Sequence, residues 1–98
     1  MVKILLVTNG NAQYENRIKE MLEDHGSTYR IDYEVNVVNQ NEADGVPCDF
    51  AISLVKFFVL DGVKLFDGLP IATDSCGEKI EKDILNQMLK VKVKQREQ

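Results

Sequence analysis

Thr8-Asn9-Gly10-Asn11-Ala12-Gln13-Tyr14 stands between a short apolar run and the start of a helical pattern. A polar turn in that position lies at the carboxyl end of a strand, where open α/β sheets bind their ligands. The first amides of the following helix would face the turn and favour an anion. The chemistry such a turn serves is phosphate or nucleotide handling. It contains no Cys, His or Ser, and Gly10 is its only glycine, so the full glycine fingerprint is missing. The plainer reading of the same residues is a strand-to-helix connection capped by Asn9 or Asn11.

Other reactive side chains are few. Ser75-Cys76-Gly77-Glu78 reads as the start of the last helix, with Ser75 and Glu78 as a capping box. Cys76 would then sit in a first turn, where the helix dipole lowers a thiol pKa. A displaced acceptor or redox thiol there competes with the commoner case, an ordinary N-terminal helix residue. Cys48 precedes a buried strand and reads as a small apolar residue. His25, the single histidine, falls at a helix C-terminus, where it would complement the dipole. Phe57-Phe58 reads as closing the core beneath a long loop, with a partner-facing patch as the other option. One His and two distant Cys do not make a structural zinc site, so neither a metal nor a cofactor is expected.

The chain of 98 residues has the length of one domain, 1–98, with a modest core. Its net charge of −4 argues against nucleic acid as a partner. No apolar run approaches the roughly 18 residues of a membrane span, so direct insertion is not expected. Only Met1 precedes the first strand, leaving no place for a signal peptide. With two cysteines that suit free thiols in a reducing compartment, the expected location is the cytoplasm.

These residues need elements to position them. Residues 2–7 are nearly all apolar, the pattern of a strand buried on both faces. Tyr14, Ile18, Met21, Leu22 and His25 recur at helical spacing over 12–25, with Gly26 as the expected stop. Ile31, Tyr33, Val35 and Val37 alternate with polar residues, which predicts a half-buried edge strand. The polar stretch 39–45 has room for one short helical turn and little to add to the core. Residues 49–55 predict a second central strand, and 69–73 a third one containing Pro70. Asp61-Gly62 between apolar runs is a local hairpin signal. Ile80, Ile84, Leu85, Met88 and Val91 form the stripe of a last helix over 76–91, closed by the positive charge of Lys90, Lys92, Lys94 and Arg96, which suits the helix dipole, and the last few residues would fray. Strand and helix patterns alternate, so the expected fold is α/β, a three-layer flavodoxin-like arrangement with a four-stranded parallel sheet of order 2-1-3-4.

Lys3-Ile4-Leu5-Leu6-Val7 with its polar loop and helix resembles the start of the IIB components of the bacterial sugar phosphotransferase system, nearest their galactitol and lactose/cellobiose types. Asp49-Phe50-Ala51-Ile52-Ser53 resembles their third strand. Asp67-Gly68-Leu69-Pro70-Ile71, followed by Gly77, Ile80 and Ile84, resembles the closing strand and last helix of the galactitol type. The likeness spans nearly the whole chain through short elements in matching order. It implies a phosphocarrier. A cysteine directly after the first strand takes a phosphoryl group from a IIA donor and passes it to a sugar held by a membrane-embedded IIC partner.

The position matching that cysteine is Thr8, and the loop that is usually rich in Gly, Ser and Thr keeps small residues only at Gly10 and Ala12. A threonine hydroxyl needs a general base, and the helix would carry His25 roughly 15–20 Å away at about 1.5 Å per residue. The implied activity is therefore impaired. The competing class is a non-catalytic binding or regulatory domain. A thioredoxin-like fold is the competing architecture, with residues 46–55 helical and 57–66 a hairpin. If the parallel sheet holds, residues 8–14 and Ser75, Cys76 and Gly77 share one edge as an anion or partner face, weakened by Glu15, Asp74 and Glu78.

Overall fold

Seven residues with only one charge among them form the first strand, β1 (Val2–Thr8), at the middle of the sheet. Val2, Ile4 and Leu6 point to one face, Leu5 and Val7 to the other, and all five are buried. In a computed structural model that describes residues 1–96, β1 pairs in parallel with β2 (Tyr33–Asn39) and with β3 (Phe50–Ser53). β3 pairs in parallel with β4 (Leu65–Asp67). The order is β2-β1-β3-β4, so the fold is α/β with an all-parallel sheet, consistent with a flavodoxin-like arrangement. The thioredoxin-like alternative is excluded. Residues 50–53 are a strand rather than a helix, and 57–66 form no hairpin.

One face of the sheet is helical. α1 (Ala12–Tyr29) and α3 (Glu78–Arg96) bury Ile18, Met21, Leu22, Ile84 and Met88 against Ile4, Leu6, Phe50 and Ile52. Phe66 of β4 meets Phe50 edge-on, with ring centroids 5.6 Å apart. The other face is covered by irregular chain. A 3-10 turn (Gln40–Glu42) and the segment 54–64 lay Ala43, Val46, Phe58, Leu60 and Val63 over Leu5, Val7 and Ala51. Ala43 is buried, so the polar stretch adds more to the core than its composition suggests.

Several boundaries differ from expectation, each for a physical reason. α1 does not stop at Gly26. It runs to Tyr29 and closes with Arg30 in the left-handed region at φ 54, the Arg30 and Ile31 amides both bonding to the Gly26 carbonyl. Gly26 is required for a close approach instead, since a Cβ there would lie 2.7 Å from the Tyr33 ring. Leu69-Pro70-Ile71-Ala72 is not the last strand but a helical turn, α2 (Leu69–Ala72). Pro70 suits a first turn, and the Asp67 carboxylate accepts the Leu69 amide at 3.0 Å. The fourth strand is the short Leu-Phe-Asp segment just before it.

Asp61-Gly62 does make a turn, with Gly62 at φ 75, but the flanking runs do not pair with each other. The Ser75–Glu78 capping box does not form either. α3 begins at Glu78, the Glu81 amide bonds to the Gly77 carbonyl, and the Ser75 hydroxyl is engaged with Thr73. Gly77 lets this junction sit on α2, because a Cβ would come within 2.8 Å of the Ile71 backbone. α3 also extends five residues past Val91, to Arg96. Of the last few residues, which were expected to fray, Gln95 and Arg96 are helical, and 97–98 lie outside the described residues.

Candidate functional site

The parallel strands end together at Thr8, Asn39, Ser53 and Asp67. α1 and α3 run the opposite way. At the amino edge the Lys92 ammonium donates to the Tyr29 and Arg30 carbonyls at 3.2 and 2.9 Å, and Gln95 bonds to both main-chain groups of Met1. The starts of both helices therefore lie at the carboxyl edge, beside the strand ends. This puts residues 8–14 and 75–77 at the same edge. α2 packs against both α1 and α3 there, and among the described residues no hydrogen bond joins the two segments: the turn after β1 bonds within itself, and Ser75 bonds to Pro70 and Thr73.

The turn after β1 is held by its own side chains. Thr8 Oγ1 accepts the Gly10 amide and Asn9 Oδ1 accepts the Asn11 amide, each at 3.0 Å. Asn11 Oδ1 accepts the amides of Gln13 and Tyr14 at 3.0 and 3.2 Å, and its carbonyl takes that of Glu15. Asn11 is thus the N-cap that its residue type predicts. The consequence for chemistry is direct. The amides of Gly10, Asn11, Gln13, Tyr14 and Glu15 already have acceptors. An anion would displace those bonds, each worth roughly 0.5–1.5 kcal/mol net, beside the carboxylate of Glu15. Asn9, Gly10, Asn11, Ala12 and Gln13 are exposed, while Thr8 is half-buried and Tyr14 packs against the helical core.

Among the described residues, no side chain accepts a hydrogen bond from the Thr8 hydroxyl. His25 sits near the far end of α1, about 20 Å along the helix from Ala12 at about 1.5 Å per residue. Its Nε2 is buried without a hydrogen-bond partner among the described residues. Cys76 is exposed, but at φ 61 it belongs to the turn before α3 rather than to the helix's first turn, which corrects the expected dipole effect on its thiol. Cys48 lies before β3, at the opposite edge of the sheet. Burial and then the Asp49 carboxylate push its thiol pKa up, which disfavours the reactive thiolate. Among the described residues, no cluster of His, Cys, Asp or Glu is placed to hold a metal. No helix among them is long and apolar enough to cross a membrane.

Sequence reasoning passed over a cleft of about 200 Å³ at the carboxyl ends of β3 and β4, between Ser53, Lys56, Phe57, Phe58, Phe66 and Asp67. Its polar groups are mostly satisfied: the Ser53 hydroxyl bonds to both main-chain groups of Val55, and Asp67 holds the start of α2. The phenylalanine pair splits at its rim. Phe58 packs into the core under the loop as expected. Phe57 does not; it is 99% exposed, in the left-handed region at φ 59. The available signal was the end of β3 itself, beside the crevice where the strand order reverses. Comparisons with family models, with curated proteins and with solved structures return no match.

Proposed function

We propose that this chain is a IIB-like domain of a sugar phosphotransferase system whose acceptor position, Thr8, no longer carries a phosphoryl group. On this reading it works in the cytoplasm as a binding or regulatory domain towards a IIA-type donor and a IIC-type transporter. The observation that carries the proposal is the placement of Thr8. It ends a central strand of a parallel 2-1-3-4 sheet and leads through a short turn into α1, which supports matching it to the family's acceptor cysteine. The impaired chemistry is supported by the same turn. The Thr8 hydroxyl accepts the Gly10 amide, the single histidine lies at the far end of α1, and the amides of Gly10, Asn11, Gln13, Tyr14 and Glu15 have acceptors.

The test is incubation with a phosphorylated IIA-type donor, followed by mass spectrometry. The parent chain should gain no phosphoryl group, and Thr8→Cys should gain one if the loop can still open towards a donor. A phosphorylated Thr8 in the parent chain would overturn the impaired reading. NMR titration with the donor should shift residues 9–14 and 75–77 together. Shifts confined to 57–66 would move the working surface to the β3–β4 cleft.

A further inference from the structure

β2 is an edge strand of seven residues, Tyr-Glu-Val-Asn-Val-Val-Asn. Edge strands are normally blunted by proline, lysine or a bulge, because their unpaired amides and carbonyls invite another strand. β2 has no proline and no lysine, and its register with β1 runs without a break from Tyr33 to Asn39. The Val2 amide bonds to the Asp32 carbonyl, so even-numbered residues turn their main-chain groups towards β1. By strand alternation Tyr33, Val35, Val37 and Asn39 turn theirs outward.

We propose that β2 pairs antiparallel with β2 of a second copy of this chain, about a two-fold axis through Asn36, giving one continuous eight-stranded sheet. The occupant follows from the strand's own symmetry. Val35-Asn36-Val37 reads the same in both directions, and Asn36 is the middle residue, so this register overlaps the whole strand. It sets Val35 opposite the partner's Val37 and Tyr33 opposite the partner's Asn39. All four carry outward main-chain groups, as the hydrogen-bonded pairs of an antiparallel ladder must, and they make about eight bonds. The half-exposed Val35 and Val37 side chains of both copies then meet on the helical face. Glu34 falls opposite the partner's Val38, so the two glutamates do not face each other.

α1 supports the same axis. Asn16, Lys19, Glu20 and Glu23 lie along one stripe of α1 and line, with Tyr33 and Val35, a groove of about 410 Å³ beside β2. α1 connects β1 to β2 and so lies over that pair. With strands about 4.8 Å apart, the two copies of α1 come to about 10 Å, the distance at which helices pack. The axis sets the two stripes antiparallel, so Lys19 of one copy lies against a stripe that carries Glu20 and Glu23 in the other.

Sedimentation of the whole chain should give twice the monomer mass. Val35→Pro removes an outward amide without touching the bonds to β1, and Asn36→Lys brings two ammonium groups together on the axis. Both should return the chain to monomer with an unchanged circular dichroism spectrum. Asn36 is the non-hydrogen-bonded pair on the axis, where facing Cα atoms are about 4.5 Å apart, within disulfide reach. Asn36→Cys should therefore form a disulfide-linked dimer under mild oxidation, with the bond between the two introduced thiols mapped by mass spectrometry. This variant keeps the test decisive if Val35→Pro fails to fold. A monomeric parent chain overturns the proposal, whether the edge is bare or takes an extended segment of another protein. So does a dimer that Asn36→Lys leaves intact, or an oxidised Asn36→Cys chain with no bond between those thiols.

Discussion

Tyr33 joins two elements through one side chain. Its ring lies against Gly26 of α1, and its hydroxyl donates to Glu23 at 2.8 Å. Burial, then the bond to Glu23 and the charge of that carboxylate, push its pKa from 10.0 to about 12. An unfolded tyrosine ionises near 10, so the fold favours the neutral phenol. Its stabilising contribution is complete below about pH 10 and is lost as pH rises through about 12. Urea midpoints followed across that window should fall, and Tyr33→Phe should remove this residue's share of the fall. Matching curves for the two proteins would show that the Tyr33–Glu23 bond has no thermodynamic weight. Thr8 shows the other side of residue-scale reading. The residue type alone announced weak nucleophilicity, but its bond to the Gly10 amide became visible only in the folded turn.

At the scale of elements, α1 starts where its sequence says because Asn11 satisfies two amides at once. Asn11→Ala should cost about 1 kcal/mol in urea denaturation, and Asn11→Asp much less. The segment 54–64 is the element whose sequence misleads. Asp61-Gly62 is a sound turn signal, yet β4 finds its hydrogen bonds on β3, and Leu60, Val63 and Leu65 are drawn onto Leu5, Val7 and Ala51. A hairpin would have left that face of the sheet bare. The two phenylalanines then predict opposite results. Phe57→Gly relieves a left-handed aromatic and should leave stability unchanged or raise it by up to about 1 kcal/mol. Phe58→Ala empties part of the second core and should cost about 2 kcal/mol. Chemical denaturation of both variants measures the difference. A loss in Phe57→Gly equal to that in Phe58→Ala would contradict the split.

In the molecule as a whole, the two faces of one sheet are covered unequally, by helices on one side and by irregular chain on the other. Hydrogen exchange should therefore be slowest at β1, which is paired on both sides, and fastest across 54–64; equal protection would contradict it. The sequence alone determined the parallel sheet, its order and its central strands. Apolar runs without alternation must be buried on both faces, and strands that alternate with helices are joined by crossovers. It also marked the turn after β1, because Asn11 is a local cap. Three things were decided only by tertiary structure: Gly26 continues α1, β4 lies at Leu65–Asp67, and α3 starts at Glu78 rather than in a capping box. Each depends on a contact between residues distant in sequence or on competition for a hydrogen bond. Gly26 makes room for Tyr33, β3 captures a three-residue strand too short to show alternation, and Thr73 engages the Ser75 hydroxyl. Local propensity cannot register such contacts, since they exist only once the sheet has brought the partners together.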